Sequence, residues 1–482
     1  MAKIKKCNKI LQKIDENKVH QLTKVKKSDI LEKNRRWSMF TYLKMKNFKS
    51  FKEISIDLQN KKDEFKHIIS IYGANGSGKS TIVEAFLTLE KTLGTMRVKD
   101  MLLDLLNNKI TPPDDIPIKQ EMMLEFIKTR LASSTVEKII DEYKMINTTE
   151  PMMLEFGFII NGSTGSYLME FDNSDLIRER LEYKILKNRG CCFDIEEDKV
   201  EINSNIFESA EFLEEIKRQI QMYWGKHTFL SILQHEMDDK SATYVNSNIS
   251  PNLMNILTEF NSISYKMASN REDNSIYASP VFANLEGGTI EKSEEKNLDK
   301  IEQFINEFFI SLFEDVNKAF YHREEKNGKI RYSLFLNKRI DARDFDIDFR
   351  YESSGTQEIL NLLPYLMVAI TGKCVIIDEF GNGIHDLMAA KLMKAVSQNI
   401  KGQLIITTHN TLIMDHSNIK PDALYFIFIG LEGKKVKCVT DVEERLHPNY
   451  NYRNRYFNNE LYADGLPKNA DFDFSEFAKL YG

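Results

Sequence analysis

The chain has 482 residues, of which 42% are apolar and 29% charged. Ten prolines, 21 glycines and five cysteines exclude a collagen-like, wholly disordered or disulfide-stapled protein, and at roughly 100–200 residues per domain the length implies about two to four structural units. The net charge of −6 is uneven: residues 1–37 carry twelve Lys/Arg against four Asp/Glu, a local +8, which leaves −14 on the rest.

A basic arm on an acidic body suits two partners, nucleic acid or an acidic face of a neighbouring subunit; the plain alternative is a solvated, partly helical extension. No apolar run approaches the roughly 20 residues that cross a bilayer. The N-terminal residues are charged throughout and lack the apolar block of a signal peptide. Cys7, Cys191, Cys192, Cys374 and Cys438 show no metal-ligand spacing. Free thiols, a cytoplasmic setting and no membrane contact are therefore expected.

After the extension at 1–36, the texture changes at Trp37. Residues 39–59 alternate like two strands joined by a turn around Asn47–Lys49, and HIISIY (His67–Tyr72) predicts a buried strand followed by a glycine-rich turn and a helix over Thr81–Thr92. Residues 95–150 read as a helical insertion broken by Thr111–Asp115. Residues 152–203 return to strands, with hairpin turns at Asn161-Gly162 and Asn188–Gly190, so that 151–235 forms a β lobe. Amphipathic spacing predicts helices over 207–224 and 297–320, and 236–325 is taken as a second helical insertion. The stretch 326–445 alternates: helix Gln357–Ile370, strand Cys374–Ile377, helix Asp386–Asn399, strand Gln403–Thr407, strand Ala423–Ile429. Strands separated by helices indicate a parallel sheet covered on both faces, hence an α/β fold. A tail follows at 446–482, where Arg453 and Arg455 among tyrosines suit base stacking, capping of the body or a protein partner.

Four motifs carry the chemistry. Gly73-Ala74-Asn75-Gly76-Ser77-Gly78-Lys79-Ser80 matches GxxxxGK[ST] between a buried strand and a helix, where backbone N–H groups and the helix N-terminus cradle phosphate. Lys79 then reaches the β- and γ-phosphates and Ser80 offers a hydroxyl to Mg²⁺. CVIIDE ends an apolar strand in two acids: Asp378 for the metal, Glu379 as general base for water. Ser353-Ser354-Gly355-Thr356-Gln357 stands directly before a helix as a second anion cradle or a plain N-cap. QLIITTH places His409 at the carboxyl end of a core strand, as a structural histidine or one that touches the γ-phosphate.

The order of these pieces resembles that of ABC-type ATPases, in the SMC/Rad50-like branch, and is similar to the short AAA15/RloA-type ATPases of bacterial anti-phage defence. NFKSF, GANGSGKS, ESSGTQ, IIDEFGNGIH and ITTHN carry the resemblance, which covers about 37–95 and 330–430 well, 150–235 loosely and the rest hardly at all. The general LSGGQ signature is altered here: Ser353 and Thr356 replace its leucine and second glycine.

The resemblance implies a P-loop NTPase head of ABC type with an antiparallel β lobe and helical insertions. It implies ATP and Mg²⁺ as cofactors, with Asn75–Thr81 on the phosphates, and Ser80, Asp378 and a Q-loop glutamine, here Gln234, on the metal. It further implies a head-to-tail dimer, with two ATPs sandwiched between Ser77–Thr81 of one subunit and Ser354, Gly355 and Gln357 of the other, and scope for higher oligomers. The catalytic set is Glu379, His409 and Lys79, and Phe380–His385 forms the D-loop across the seam. The expected role is an ATP-hydrolysing sensor and scaffold for a separately encoded effector. The alternatives are a RecF/SMC-like DNA-binding ATPase using the basic arm, and a self-contained effector acting through 237–296. After His409 no Toprim pattern or HNH-type histidine pair appears.

Overall fold

The computed structural model describes residues 39–60, 65–96, 135–238, 240–268, 273–430, 433–442 and 450–458, with Ser475 and Lys479. The basic extension, most of the 95–150 insertion and most of the tail lie outside the described residues. Among the described residues no helix is long and apolar enough to cross a membrane.

The strands are β1 (Met39–Phe48), β2 (Phe51–Asp57), β3 (Ile68–Tyr72), β4 (Met152–Ile160), β5 (Ser163–Phe171), β6 (Leu176–Ile185), β7 (Asn188–Glu196), β8 (Lys199–Ile202), β9 (Ser264–Lys266), β10 (Gly287–Glu291), β11 (Val316–Lys326), β12 (Lys329–Ile340), β13 (Arg343–Asp348), β14 (Cys374–Ile377), β15 (Gln403–Thr407), β16 (Leu424–Gly430) and β17 (Gly433–Cys438). The main helices are α1 (Lys79–Leu93), α2 (Val136–Tyr143), α3 (Ala210–Tyr223), α4 (Phe229–Asp238), α5 (Pro251–Phe260), α6 (Glu295–Leu312), α7 (Ser354–Ile370) and α8 (Asp386–Ser397).

The central sheet has the order β17-β16-β3-β15-β14-β9. Its strands run parallel except β17, which closes one edge antiparallel to β16. Alternate residues face opposite sides of a strand. Ile69, Ile71, Ile376, Ile405, Tyr425 and Ile427 accordingly bury in one core with α1 and the β lobe. Ile68, Tyr72, Val375, Ile377, Leu404, Ile406, Leu424 and Phe426 bury in the other, with α7 and α8. Burial on both faces is why these strands read as unbroken apolar runs.

The second sheet, β2-β1-β4-β5-β6-β7-β8, is antiparallel throughout and is the expected β lobe. Gln403 fastens it to the central sheet: its fully buried amide accepts from Phe40 N (2.9 Å) and donates to Phe40 O (2.9 Å) and Lys66 O (3.2 Å). The Asn161-Gly162 turn forms as expected, with both residues at positive φ. The next turn is at Leu186-Lys187 and not at Asn188–Gly190, because Ile185 pairs with Asn188.

The third sheet forms an arm in which β12 pairs with β11, β10 and β13. Its inner face packs on α6 through Ile301, Ile305, Phe309, Tyr321, Tyr332 and Leu334. The helix expected over 297–320 ends at Leu312, and Val316 begins β11. Pairing with β12 over ten residue pairs overrides the helical spacing there. The 236–325 stretch is also not only helical: it supplies β9 to the central sheet and β10 and β11 to the arm, while 326–445 opens with β12 and β13.

One buried acid ties lobe to helix. Glu179 on β6 is fully buried and accepts from Tyr167 Oη (2.8 Å), Trp224 Nε1 (3.1 Å), Phe229 N (2.5 Å) and Leu230 N (3.3 Å). It thus caps the start of α4. Burial pushes its carboxyl up to about 7, against the pull of these four donors. Glu179→Ala leaves them without an acceptor, at roughly 1–3 kcal/mol for each that water does not reach. A loss of about 3 kcal/mol or more is expected in denaturant melts; wild-type stability would contradict the capping role.

Candidate active site

In a parallel sheet the carboxyl ends of the strands meet along one edge, and that edge is where such sheets bind ligands. Here the edge collects the loop after β3, the acids after β14 and the Thr407–His409 segment after β15.

The phosphate loop is shaped by glycine at two positions. Gly76 (φ 74°) and Gly78 (φ 112°) are left-handed, and a Cβ on Gly78 would fall 2.8 Å from the Phe51 ring. Gly78 is the N-cap of α1 and supplies no side-chain cap, and no acid stands in the first turn. The first-turn N–H groups are left for an anion. Asn75 and Gly76 are exposed at the tip, whereas Ser77, Lys79 and Thr81 are buried. Ser77 Oγ has no hydrogen-bond partner among the described residues. Lys79 Nζ folds back to donate to Gly73 O (2.9 Å) and Ala74 O (3.1 Å). Burial pulls its pKa below the ordinary lysine value, with Asp378 and Glu379 opposing.

Asp378 is buried, and its Oδ1 accepts from Ser80 Oγ (3.2 Å) and Thr407 Oγ1 (2.6 Å). The same Thr407 hydroxyl accepts from Glu379 N (2.8 Å). Glu379 sits at φ 53°, a backbone region that non-glycine residues rarely adopt and that costs roughly 1–3 kcal/mol. Its carboxylate accepts from Asn382 Nδ2 (2.8 Å). Thr408 Oγ1 donates to Phe380 O (2.8 Å), fixing the turn beyond. His409 lies on the exposed rim of this edge. Partial burial, and then the Lys79 charge, pull its pKa below the ordinary value, with Glu379 and Asp378 opposing.

The ESSGTQ segment stands at the start of α7. Ser353 Oγ caps the helix by accepting from Thr356 N (3.2 Å). Gln357 Nε2 donates to Arg350 O (2.9 Å) and Glu352 O (3.2 Å), so this glutamine braces its own loop. Gly355 lies against Gly383 O, where a Cβ would approach to 3.0 Å. A cleft of about 1660 Å³ has Ser354, Gln357, Asp378, Glu379, Asn382 and Gly383 in its walls, together with arm residues, but no residue of Gly73–Ser80.

Lys79, Ser80, Asp378, Glu379 and His409 are thus brought together, and Ser354 and Gln357 share a cleft wall with the two acids. Gln234 is engaged elsewhere: on α4 it donates to Asp238 Oδ1 (3.0 Å) and accepts from Asn261 Nδ2 (3.0 Å), and no hydrogen bond joins it to Ser80 or Asp378. Asn382, placed in the D-loop, and Thr407, placed at a strand end, have bonding roles that their sequence positions did not reveal. Their signals were a threonine between an apolar strand and a histidine, and an amide three residues after a candidate base.

The donors suit Mg²⁺. Ser80 and Asp378 present hard oxygens side by side, and among the described residues no group of three His, Cys, Asp or Glu forms a closed cage. Mg²⁺ is commonly held in this way, by one or two protein oxygens with substrate phosphates and water.

This fold and edge define a P-loop NTPase. A family model described as "AAA domain, putative AbiEii toxin, Type IV TA system" matches residues 68–415, and a second, "AAA domain", matches residues 42–89. The chain belongs to that first family of AAA ATPase domains. Among solved structures it is similar to an SMC head domain from Thermotoga maritima (14% identity, 83% of this chain and 98% of that one, TM-score 0.35). It is also similar to an SmcHead bound to the C-winged helix domain of ScpA (14%, 84% and 99%, TM-score 0.41). A third is an Smc head with an extended coiled coil bound to the C-terminal domain of ScpA, derived from Pyrococcus furiosus (14%, 83% and 96%, TM-score 0.37). No curated protein matches the chain.

The Lys79 charge beside His409 has a measurable consequence. In NMR titrations of labelled histidine, assigned with His409→Gln, the imidazole is expected to titrate below about 6.5, neutral at physiological pH. Lys79→Met should raise that midpoint; an unchanged value would separate the two groups.

Proposed function

We propose that the chain hydrolyses ATP and acts as a nucleotide-driven switch. The observation that carries the reading is the Ser80–Asp378–Thr407–Glu379 chain of hydrogen bonds beside Lys79 at the carboxyl edge of the parallel sheet. Lys79 exchanges its carbonyl partners for phosphate oxygens, and the free N–H groups of α1 add to the cradle. Ser80 and Asp378 would hold Mg²⁺, which would offset phosphate charge when bound. Glu379, oriented by Asn382 and by its bonded backbone N–H, takes a proton from water. The water oxygen bonds to the γ-phosphorus as the bond to the β-phosphate oxygen breaks. His409, on the rim of the same edge, offers a hydrogen bond to the γ-phosphate.

The cleft that Ser354 and Gln357 line with the two acids includes no residue of Gly73–Ser80, which supports a second copy closing the site, with ATP between the two in a head-to-tail dimer. Exposed Tyr351, directly before that segment, and exposed Leu387, in the first turn of α8, suit such a contact. Binding and hydrolysis then toggle two assembly states. The description of the matched family, naming a toxin and a TA system, supports a partner encoded separately. The role we infer is a scaffold that holds such an effector in anti-phage defence and releases it on a change of nucleotide state.

Glu379→Gln should lower turnover by a factor of 10² or more while trapping an ATP-bound dimer in light scattering. Normal hydrolysis in that variant would overturn the assignment. Lys79→Ala should abolish ATP binding in calorimetry, and retained affinity would count against the cradle. Affinity purification of the Glu379→Gln protein from its native cell should recover a discrete protein; nucleic acid alone would favour a DNA-binding role.

A further inference from the structure

The antiparallel β17 begins where β16 ends, at the same edge as the phosphate loop. Its second residue, Lys434, donates from Nζ to Ser50 Oγ (2.9 Å) in the β1–β2 turn and to Gly76 O (3.2 Å) at the loop tip, with the Phe51 ring 5.5 Å away. No carboxylate among the described residues pairs with it. Several partly buried lysines find acids, among them Lys49 with Glu84 (2.6 Å), Lys266 with Glu358 (2.5 Å), Lys338 with Glu352 (3.1 Å) and Lys373 with Glu259 (2.7 Å), whereas Lys144 donates to the neutral oxygens Asp172 O (3.1 Å) and Asn173 Oδ1 (2.6 Å). Lys66 also meets a neutral oxygen, Tyr425 Oη, but at the other end of β3. Lys434 shares its situation with Lys79: each is an ammonium donating only to neutral oxygens, and each has a phosphate-loop carbonyl among its partners.

We propose that Lys434 is a second phosphate-binding lysine of this site, supplied by β17 rather than by the phosphate loop, which exchanges its long bond to Gly76 O for an oxygen of the bound nucleoside polyphosphate. Three features support this. The partners are fixed, since Ser50 sits in a tight turn and Phe51 is buried against Gly78. The ammonium is partly desolvated, and burial lowers its pKa with no acid to offset it, so an arriving anion restores the missing counter-charge. The loop tip beside it, Asn75–Gly76, is exposed and open to ligand. The inference rests on the nucleotide-binding reading above and adds a residue that the P-loop motif does not contain.

The test is equilibrium binding of ATP and ADP to the full chain at low and high salt, for wild type, Lys434→Gln, Lys434→Arg, Lys434→Glu and Lys79→Ala. Lys434→Gln keeps a donor for Ser50 and Gly76 but loses the charge. It should bind ATP about tenfold more weakly, with a shallower salt dependence, while Lys434→Arg stays near wild type and Lys434→Glu loses more. Wild-type affinity and salt slope in Lys434→Gln would reduce Lys434 to a structural staple and overturn the proposal. Should Lys434→Gln fail to fold, equal ATP affinity in the Arg and Glu variants would overturn it in the same way. If wild type binds no ATP, or Lys79→Ala binds as well as wild type, the nucleotide-binding reading falls too. If only the Lys434 variants match wild type, that reading stands and this one alone fails.

Discussion

Everything in this molecule that resembles chemistry depends on one shared carboxylate oxygen. Asp378 Oδ1 takes hydrogen bonds from Ser80, 298 residues earlier in the chain, and from Thr407, 29 residues later. Three segments are thereby fixed at one edge of one sheet. Lys79 is partly desolvated beside two acids, an arrangement in which charges interact more strongly than in water. A cation near two anions in a crevice is a poor use of stability in itself. It makes sense as a site prepared for the charge of a phosphate and its counter-ion.

The rest of the fold holds that edge still and connects it to other surfaces. Gln403, at the far end of β15 from Thr407, clamps β1 of the lobe to the central sheet. The helix that starts at the phosphate loop ends at Leu93, and Thr92 O there accepts from Thr228 Oγ1 (3.1 Å). Thr228 directly precedes α4, whose first N–H groups are held by Glu179 of the lobe. A continuous path of helix, hydroxyl and buried carboxylate thus runs from the phosphate loop into the antiparallel sheet. On the other side, the arm faces ESSGTQ and Glu379 across a common cleft. No residue of Gly73–Ser80 lines this cleft, and Asp378, which does, is hydrogen-bonded to Ser80.

Much of this was legible in the residues. The phosphate loop, the strand ending in Asp378-Glu379 and the strand before His409 are local patterns, and each lies on the element expected for it. The β lobe was legible as alternation, and Asn161-Gly162 as a turn. The strands that were not legible share a cause. β9 has three residues and β10 five, too few for a period to show; they are strands because β14 and β12 offer them partners. The end of α6 and the start of β11 were blurred because Val316–Tyr321 fits helical spacing as well as alternation until β12 pairs with it. Gln234 follows an apolar run, and the helix carrying it directs its amide to Asp238 and Asn261.

What the sequence by itself determined is therefore the set of conformations that cannot be made any other way: left-handed glycines before a helix, and apolar strands that must be buried on both faces. These are demands of a few consecutive residues on their own backbone. Only the tertiary structure decided that Thr407 bridges Asp378 to Glu379, that Asn382 holds the Glu379 carboxylate, and that Lys434 reaches Gly76. Such contacts depend on the pairing and crossing of distant strands, and no stretch of chain specifies the neighbour it will meet across a sheet.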